Sequence, residues 1–169
     1  MKISFSRSAV LAAIAVLILV SALPGTIRRI ISGDLYLFTR QFFLDLWARL
    51  SGPGRLRFIV QPTVAVLLGL RDGKRDSRTG HPPFLLGLVL HGAHSRALWG
   101  SAVVSVRDLV AIAIILDVIS QLLIFREVHP GAALLLGPIL IAVPYSISRA
   151  LKNRIASGRT QQLESGRTP

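Results

Sequence analysis

No cysteine occurs in the 169 residues, and only 8 carboxylates stand against 20 lysines and arginines. The first absence removes disulfides, thiolate metal sites and thiol nucleophiles. The second leaves the His91/His94 pair without acidic company. His91 and His94 share a helix face, and His81 and His129 lie elsewhere. A metal site needs three or four convergent ligands, often with a carboxylate among them, so none is expected. Also missing are GxSxG, a phosphate-binding glycine loop and HExxH. The segment Arg71-Asp72-Gly73 with Asp76 lacks the alternating ligand spacing of a calcium loop. It lacks, too, the repeated aspartates that mark CDP-alcohol phosphotransferases. These absences predict a chain that is not an enzyme and carries no cofactor.

Long apolar runs are what the chain has instead. Leu109–Phe125 and Ala132–Ser148 are joined by Arg126-Glu-Val-His-Pro-Gly131. Each run would reach about 25 Å as a helix, against a hydrocarbon core of roughly 30 Å. The pattern predicts a transmembrane hairpin. Ala9–Leu23 forms a further apolar stretch, ending at Pro24-Gly25 and preceded by Lys2 and Arg7. It reads either as a signal peptide cleaved after Val20-Ser21-Ala22 or as a retained anchor.

Net charge is +12. The arginines are scattered between apolar blocks, and no helix-turn-helix, zinc-finger or RNP signature accompanies them, so nucleic acid is not an expected partner. Their distribution instead sets topology. Arg96 and Arg107 precede the hairpin, and Arg149, Lys152, Arg154, Arg159 and Arg167 follow it, while its turn holds Arg126 offset by Glu127. By the positive-inside rule both ends face the cytoplasm and the turn faces outward. The basic segment 28–107 then belongs inside. That favours a retained first helix whose N-terminus is outside.

Between anchor and hairpin, Asp34–Leu50 places Leu35, Phe38, Phe42, Phe43, Leu46, Trp47 and Leu50 on one helical face. Arg40, Gln41 and Asp45 fall opposite, as in a helix lying in the headgroup region. The alternative is a helix packed on the protein's own spans. Phe58–Leu70 is only 13 residues long and contains Gln61-Pro62. It reads as a half-inserted or interfacial helix. Arg71–Pro83 follows as a polar loop, Phe84–Leu90 as an apolar return, and Trp99 as an interface marker.

The expected fold is therefore an all-α membrane protein: an N-terminal anchor over 1–27, a basic interfacial and cytoplasmic segment over 28–107, a hairpin over 108–148 and a disordered basic tail over 149–169. Arg40, Arg49, Arg71, Lys74, Arg75 and Arg78 are the candidate contacts to anionic lipid headgroups.

Asp117, Ser120 and Gln121 form one polar stripe in mid-hairpin. A carboxylate there costs about 2.5–3.5 kcal/mol on insertion scales and must face protein or water. It serves as a helix–helix contact, to another helix or another copy of the chain, or as a proton or ion relay. Gly137-Pro138 and Pro144-Tyr145 predict kinks in the second hairpin helix, with Tyr145 as an interfacial anchor.

Gln61-Pro62, Leu68-Gly69, Arg71-Asp72-Gly73, Pro82-Pro83-Phe84, Asp117-Val118, Gln121, His129-Pro130-Gly131 and Pro144-Tyr145 follow one another along the chain. This series resembles a group of small uncharacterised bacterial integral membrane proteins over residues 55–155. The resemblance implies a bacterial membrane location. Three functions remain in view: a non-enzymatic subunit, scaffold or interaction protein of the inner membrane, a small oligomeric proton or ion conductor using Asp117, and a lipid-phosphate enzyme working through Asp72 and Asp76.

Overall fold

A computed structural model describes residues 6–33, 36–79 and 92–165, with side chains outside 92–98 and 159–165. The apolar return at 84–90, His91 and the side chain of His94 fall outside what is described. Five helices occur among the described residues: α1 (Arg7–Ile31), α2 (Arg40–Ser51), α3 (Arg57–Arg78), α4 (Gly92–Phe125) and α5 (Pro130–Ser165). None of these residues is in a strand. The stretches Arg7–Ile31, Trp99–Phe125 and Pro130–Gly158 are long and apolar enough to cross a membrane. The expected all-α membrane architecture is the one observed.

The chain divides into two compact units, residues 1–61 with 107–140 and residues 62–106 with 141–169. In the first, α1 starts where the Ser6 hydroxyl accepts from the Ala9 amide, and ends at Ser32-Gly33, whose glycine has φ +81°. Ala15 packs with Ala111, Ile114, Val118 and Ala133, so α1 lies along the hairpin. Its direction is fixed at both ends. Ser8 donates to Asp108 at 2.8 Å, and Arg29 pairs with Glu127 at 2.6 Å.

The N-terminus of α1 thus sits beside the open end of the hairpin, and its C-terminus beside the turn. An outside N-terminus and an outward turn, both expected from charge counting, are incompatible. The flanking charges of α1 are nearly balanced, so packing decides its direction.

α2 keeps neither expected face whole. Phe42 of the apolar face and Asp45 of the polar face are buried together with Arg49. Phe43 is 57% and Trp47 74% exposed, and Arg40 and Gln41 are exposed as well. Amphipathic spacing identifies the two faces of a helix. It does not say which of them meets lipid.

In the second unit, α3 continues well past Leu70, where sequence pattern implied a polar loop from Arg71. The continuation packs on α5, where Asp72 and Asp76 find partners in Tyr145 and Arg149, and Gly69 and Gly73 permit the approach. A Cβ at Gly69 would lie 2.5 Å from the Tyr145 carbonyl oxygen, and one at Gly73 would collide with the Arg149 carbonyl. This small-residue pair, spaced by four, lets α3 and α5 approach closely.

α5 likewise runs to Ser165, through Pro138, Pro144 and most of the tail that charge and polarity marked as disordered. Arg149 and Asn153 are buried on it, and Ser157 donates to Asn153 at 3.1 Å. A polar inner face replaced the apolar pattern by which the helix was sought. Gly73→Ala is expected to lower stability by about 1–3 kcal/mol through overpacking, read as a reduced unfolding midpoint in detergent. An unchanged midpoint would refute the close α3–α5 contact.

Candidate functional site at Asp117

Asp117 is 1% exposed, on the α4 face that also carries Ser120 and Gln121. Ser120 and Gln121 are buried with it, and the partners of Asp117 lie in the same chain. Arg49, in the last turn of α2, brings Nη1 to 3.6 Å of Oδ2, and Arg57, at the start of α3, pairs through Nη2 with Oδ1. All three side chains are nearly or fully buried.

The turn between α2 and α3 makes this approach feasible. Gly54 has φ +92°, and a Cβ there would sit 2.6 Å from the Ser120 hydroxyl. Only glycine combines that backbone with that proximity.

From Asp117 the network runs in two directions. Gln121 donates through Nε2 to Asp117 at 2.7 Å, while its Oε1 accepts from the His129 amide at 2.6 Å. It therefore fastens the hairpin turn to the ion cluster. On the other side, Arg49 reaches the Tyr36 hydroxyl at 3.4 Å, which donates to Asp45 at 2.7 Å. Gln41 donates to the second Asp45 oxygen, also at 2.7 Å. Burial and the bond to Asp45 push the Tyr36 phenol well above its usual range.

Tyr36 stacks on the His129 ring with centroids 3.6 Å apart. Arg29 Nη1 lies 2.9 Å from His129 Nε2. A guanidinium can only donate, so Nε2 accepts and the imidazole is neutral. Burial holds the His129 pKa down, and the Arg29 charge adds to the effect. Glu127 is held below the usual carboxylate range by the hydrogen bond from Arg29.

The proposed headgroup contacts separate into two kinds. Arg49 is 1% exposed and serves Asp117, so it is not at the lipid surface. Arg40, Arg71, Lys74, Arg75 and Arg78 are exposed. Tyr145 is no interfacial anchor either: it is 1% exposed and donates to Asp72 at 2.7 Å. Arg149 donates from Nε and Nη2 to the two oxygens of Asp76, at 2.6 and 3.0 Å, from Nη1 to Tyr145 and from Nη2 to Ser101. Both aspartates suggested for lipid-phosphate chemistry are thus occupied.

Sequence reasoning missed Arg57, Arg149 and Tyr36. Gly69-x-x-x-Gly73 could have disclosed the α3–α5 contact, and with it Arg149. For Arg57 no local signal exists, since its partner is 60 residues away.

Removing one partner of a buried ion cluster leaves uncompensated charge. Asp117→Asn should cost about 3–5 kcal/mol, and adding Arg49→Met with Arg57→Met should restore much of that. Unfolding midpoints in detergent measure both, and a neutral Asp117→Asn would show that the cluster is not structural. For His129 the folded pKa lies below the usual 6.5. Its contribution is complete above about pH 6.5 and declines as pH falls through the depressed folded value, because protonation abolishes the acceptor facing Arg29. His129→Gln, which cannot titrate there, should flatten that part of the stability profile. A profile identical to wild type would assign the acid sensitivity elsewhere. No family model, curated protein or solved structure matches the chain.

Proposed function

We propose that this chain is a non-enzymatic, multi-pass protein of the bacterial inner membrane, acting as a subunit or scaffold whose basic inner face rests on anionic lipid. The observation that carries this reading is the segregation of charge on α3. Asp72 and Asp76 turn inward to Tyr145 and Arg149, while Arg71, Lys74, Arg75 and Arg78 lie exposed on the other face. With Asp76 paired to Arg149 and Asp72 bonded to Tyr145 behind it, the outer face presents four cations.

Trp99 supports a headgroup level for this face. It is exposed two residues before Ser101, which accepts from Arg149, while Gly73 packs on the Arg149 backbone. Indole rings favour the membrane interface. Each Lys or Arg near an anionic surface is worth about 1 kcal/mol. Arg71, Lys74, Arg75 and Arg78, with the cations that follow Arg149, support a cytoplasmic side for this end, although Arg29 and Arg40 of the same basic segment lie by the hairpin turn.

The conductor reading is less favoured. Asp117 already holds Arg49, Arg57 and Gln121, which leaves it poorly placed to exchange partners with a passing ion.

Because the chain lacks cysteine, Thr79→Cys provides a single labelling site at the end of α3. Its reaction with a water-soluble maleimide should slow by about tenfold in vesicles rich in phosphatidylglycerol relative to phosphatidylcholine, a difference within the reach of four surface charges. Replacing Arg71, Lys74, Arg75 and Arg78 together by Gln should abolish the difference. Equal rates in both lipids would overturn the lipid-facing assignment. Extraction in mild detergent should retain a second polypeptide or a second copy, and a lone monomer would count against the scaffold reading.

A further inference from the structure

A second location in the first unit has the features of a ligand site. At the turn of the hairpin an open cavity of about 650 Å³ is bounded by Arg29, Tyr36, Arg40, Asp45, Glu127 and His129, among others. A smaller cavity of about 100 Å³ adjoins it, sharing Arg29, Tyr36 and His129. Its remaining wall is largely apolar, formed by Ile30, Leu37, Val128, Pro130 and Ala132. One compartment is mixed in polarity and open, the next narrow and apolar. That sequence of surroundings matches an amphiphile entering by its tail.

The charges in the outer wall indicate the sign of the headgroup. Arg29 is paired with Glu127, and Asp45 accepts from both Tyr36 and Gln41. Arg40 has no ionic or hydrogen-bonding partner among the described residues. The group of the outer wall left with donors to offer is therefore the Arg40 guanidinium, which binds phosphate or carboxylate oxygens through directed donors.

Backbone strain falls in the same place. Phe38, between Leu37 of the slot and Thr39 of the cavity, has φ +64°. A non-glycine residue is unfavourable there, and such strain is concentrated at ligand clamps and active sites. It holds Tyr36 against His129 and presents Thr39 to cap α2.

We propose that this paired cavity binds one anionic amphiphile, its phosphate or carboxylate head against Arg40 and the first few methylenes of a chain in the slot beside Leu37, the rest of the chain lying outside it. The site is independent of the basic face of α3.

The test uses the full chain with Arg71, Lys74, Arg75 and Arg78 replaced by Gln, so that α3 contributes no lipid binding. Native mass spectrometry in a neutral detergent then follows titration with phosphatidylglycerol, phosphatidylcholine, or glycerol phosphate, which has the head without the tail. One phosphatidylglycerol per chain is expected, with binding about tenfold weaker for phosphatidylcholine and for Arg40→Gln. Arg40→Lys, which keeps the charge, should recover most of the loss. Leu37→Trp, which fills the slot without altering charge, should also weaken phosphatidylglycerol binding. Glycerol phosphate that displaces the lipid at equal concentration would identify a free-anion site and overturn the proposal. So would undiminished binding by both Arg40→Gln and Leu37→Trp.

Discussion

An ionised side chain surrounded by apolar atoms persists only beside an opposite charge or enough directed hydrogen bonds. The first unit is arranged around that requirement at Asp117. The carboxylate stands on a helix able to cross a membrane, and no counter-charge is available one turn away on either side. It is neutralised by arginines brought from the end of α2 and the start of α3. The facing of α2 follows directly: if Arg49 and Asp45 must face inward, Phe43 and Trp47 must face out. The glycine-rich turn follows as well, because Arg57 reaches Asp117 only if the chain passes tightly against Ser120. Hydrophobic burial alone would have put the aromatic face of α2 inside.

The second unit meets the same requirement with a different arrangement. Arg149 takes Asp76 in a two-point contact and touches Tyr145 and Ser101 with its remaining donors. A two-point guanidinium–carboxylate pair fixes orientation as well as charge. It demands close helices, which Gly69 and Gly73 permit. The inward turn of the acids also determines the opposite face of α3, since residues three and four positions apart align there as bare cations. Surface charge is here a consequence of interior pairing.

Much of the first level of organisation was legible in the sequence. Uninterrupted apolar runs disclosed the hairpin and the N-terminal helix, and helical spacing alone joined Asp117 to Gln121. The extent of α3 and α5 was not legible, because their continuations bury polar residues and so carry no apolar periodicity. Nor was the direction of α1. Charge counting compares flanks, and here the flanks nearly cancel, so direction rests on Ser8 meeting Asp108 and Arg29 meeting Glu127. The candidate site was half legible. Its acid stood out as a charge in an apolar run, whereas Arg49 and Arg57 looked like many other arginines near an interface. What distinguishes them is pairing across the chain, and a single sequence does not encode that locally.

The make-up of the Asp117 cluster bears on what the protein can do. Arg49 and Arg57 supply two positive charges, and Asp117 and Asp45 two negative ones, Asp45 being joined through the Tyr36 hydroxyl. The cluster is therefore neutral as a whole without a proton being added or removed. A relay needs a group free to exchange partners, whereas Asp117 is held through both oxygens by two guanidiniums. They also repel a cation approaching along the same route. The arrangement serves best as a fixed tie between the α2–α3 turn and the hairpin. The neutral His129, stacked on Tyr36 and bonded to Arg29, is then the titratable group at the outer end of the network, next to the cavity where a ligand would first be met.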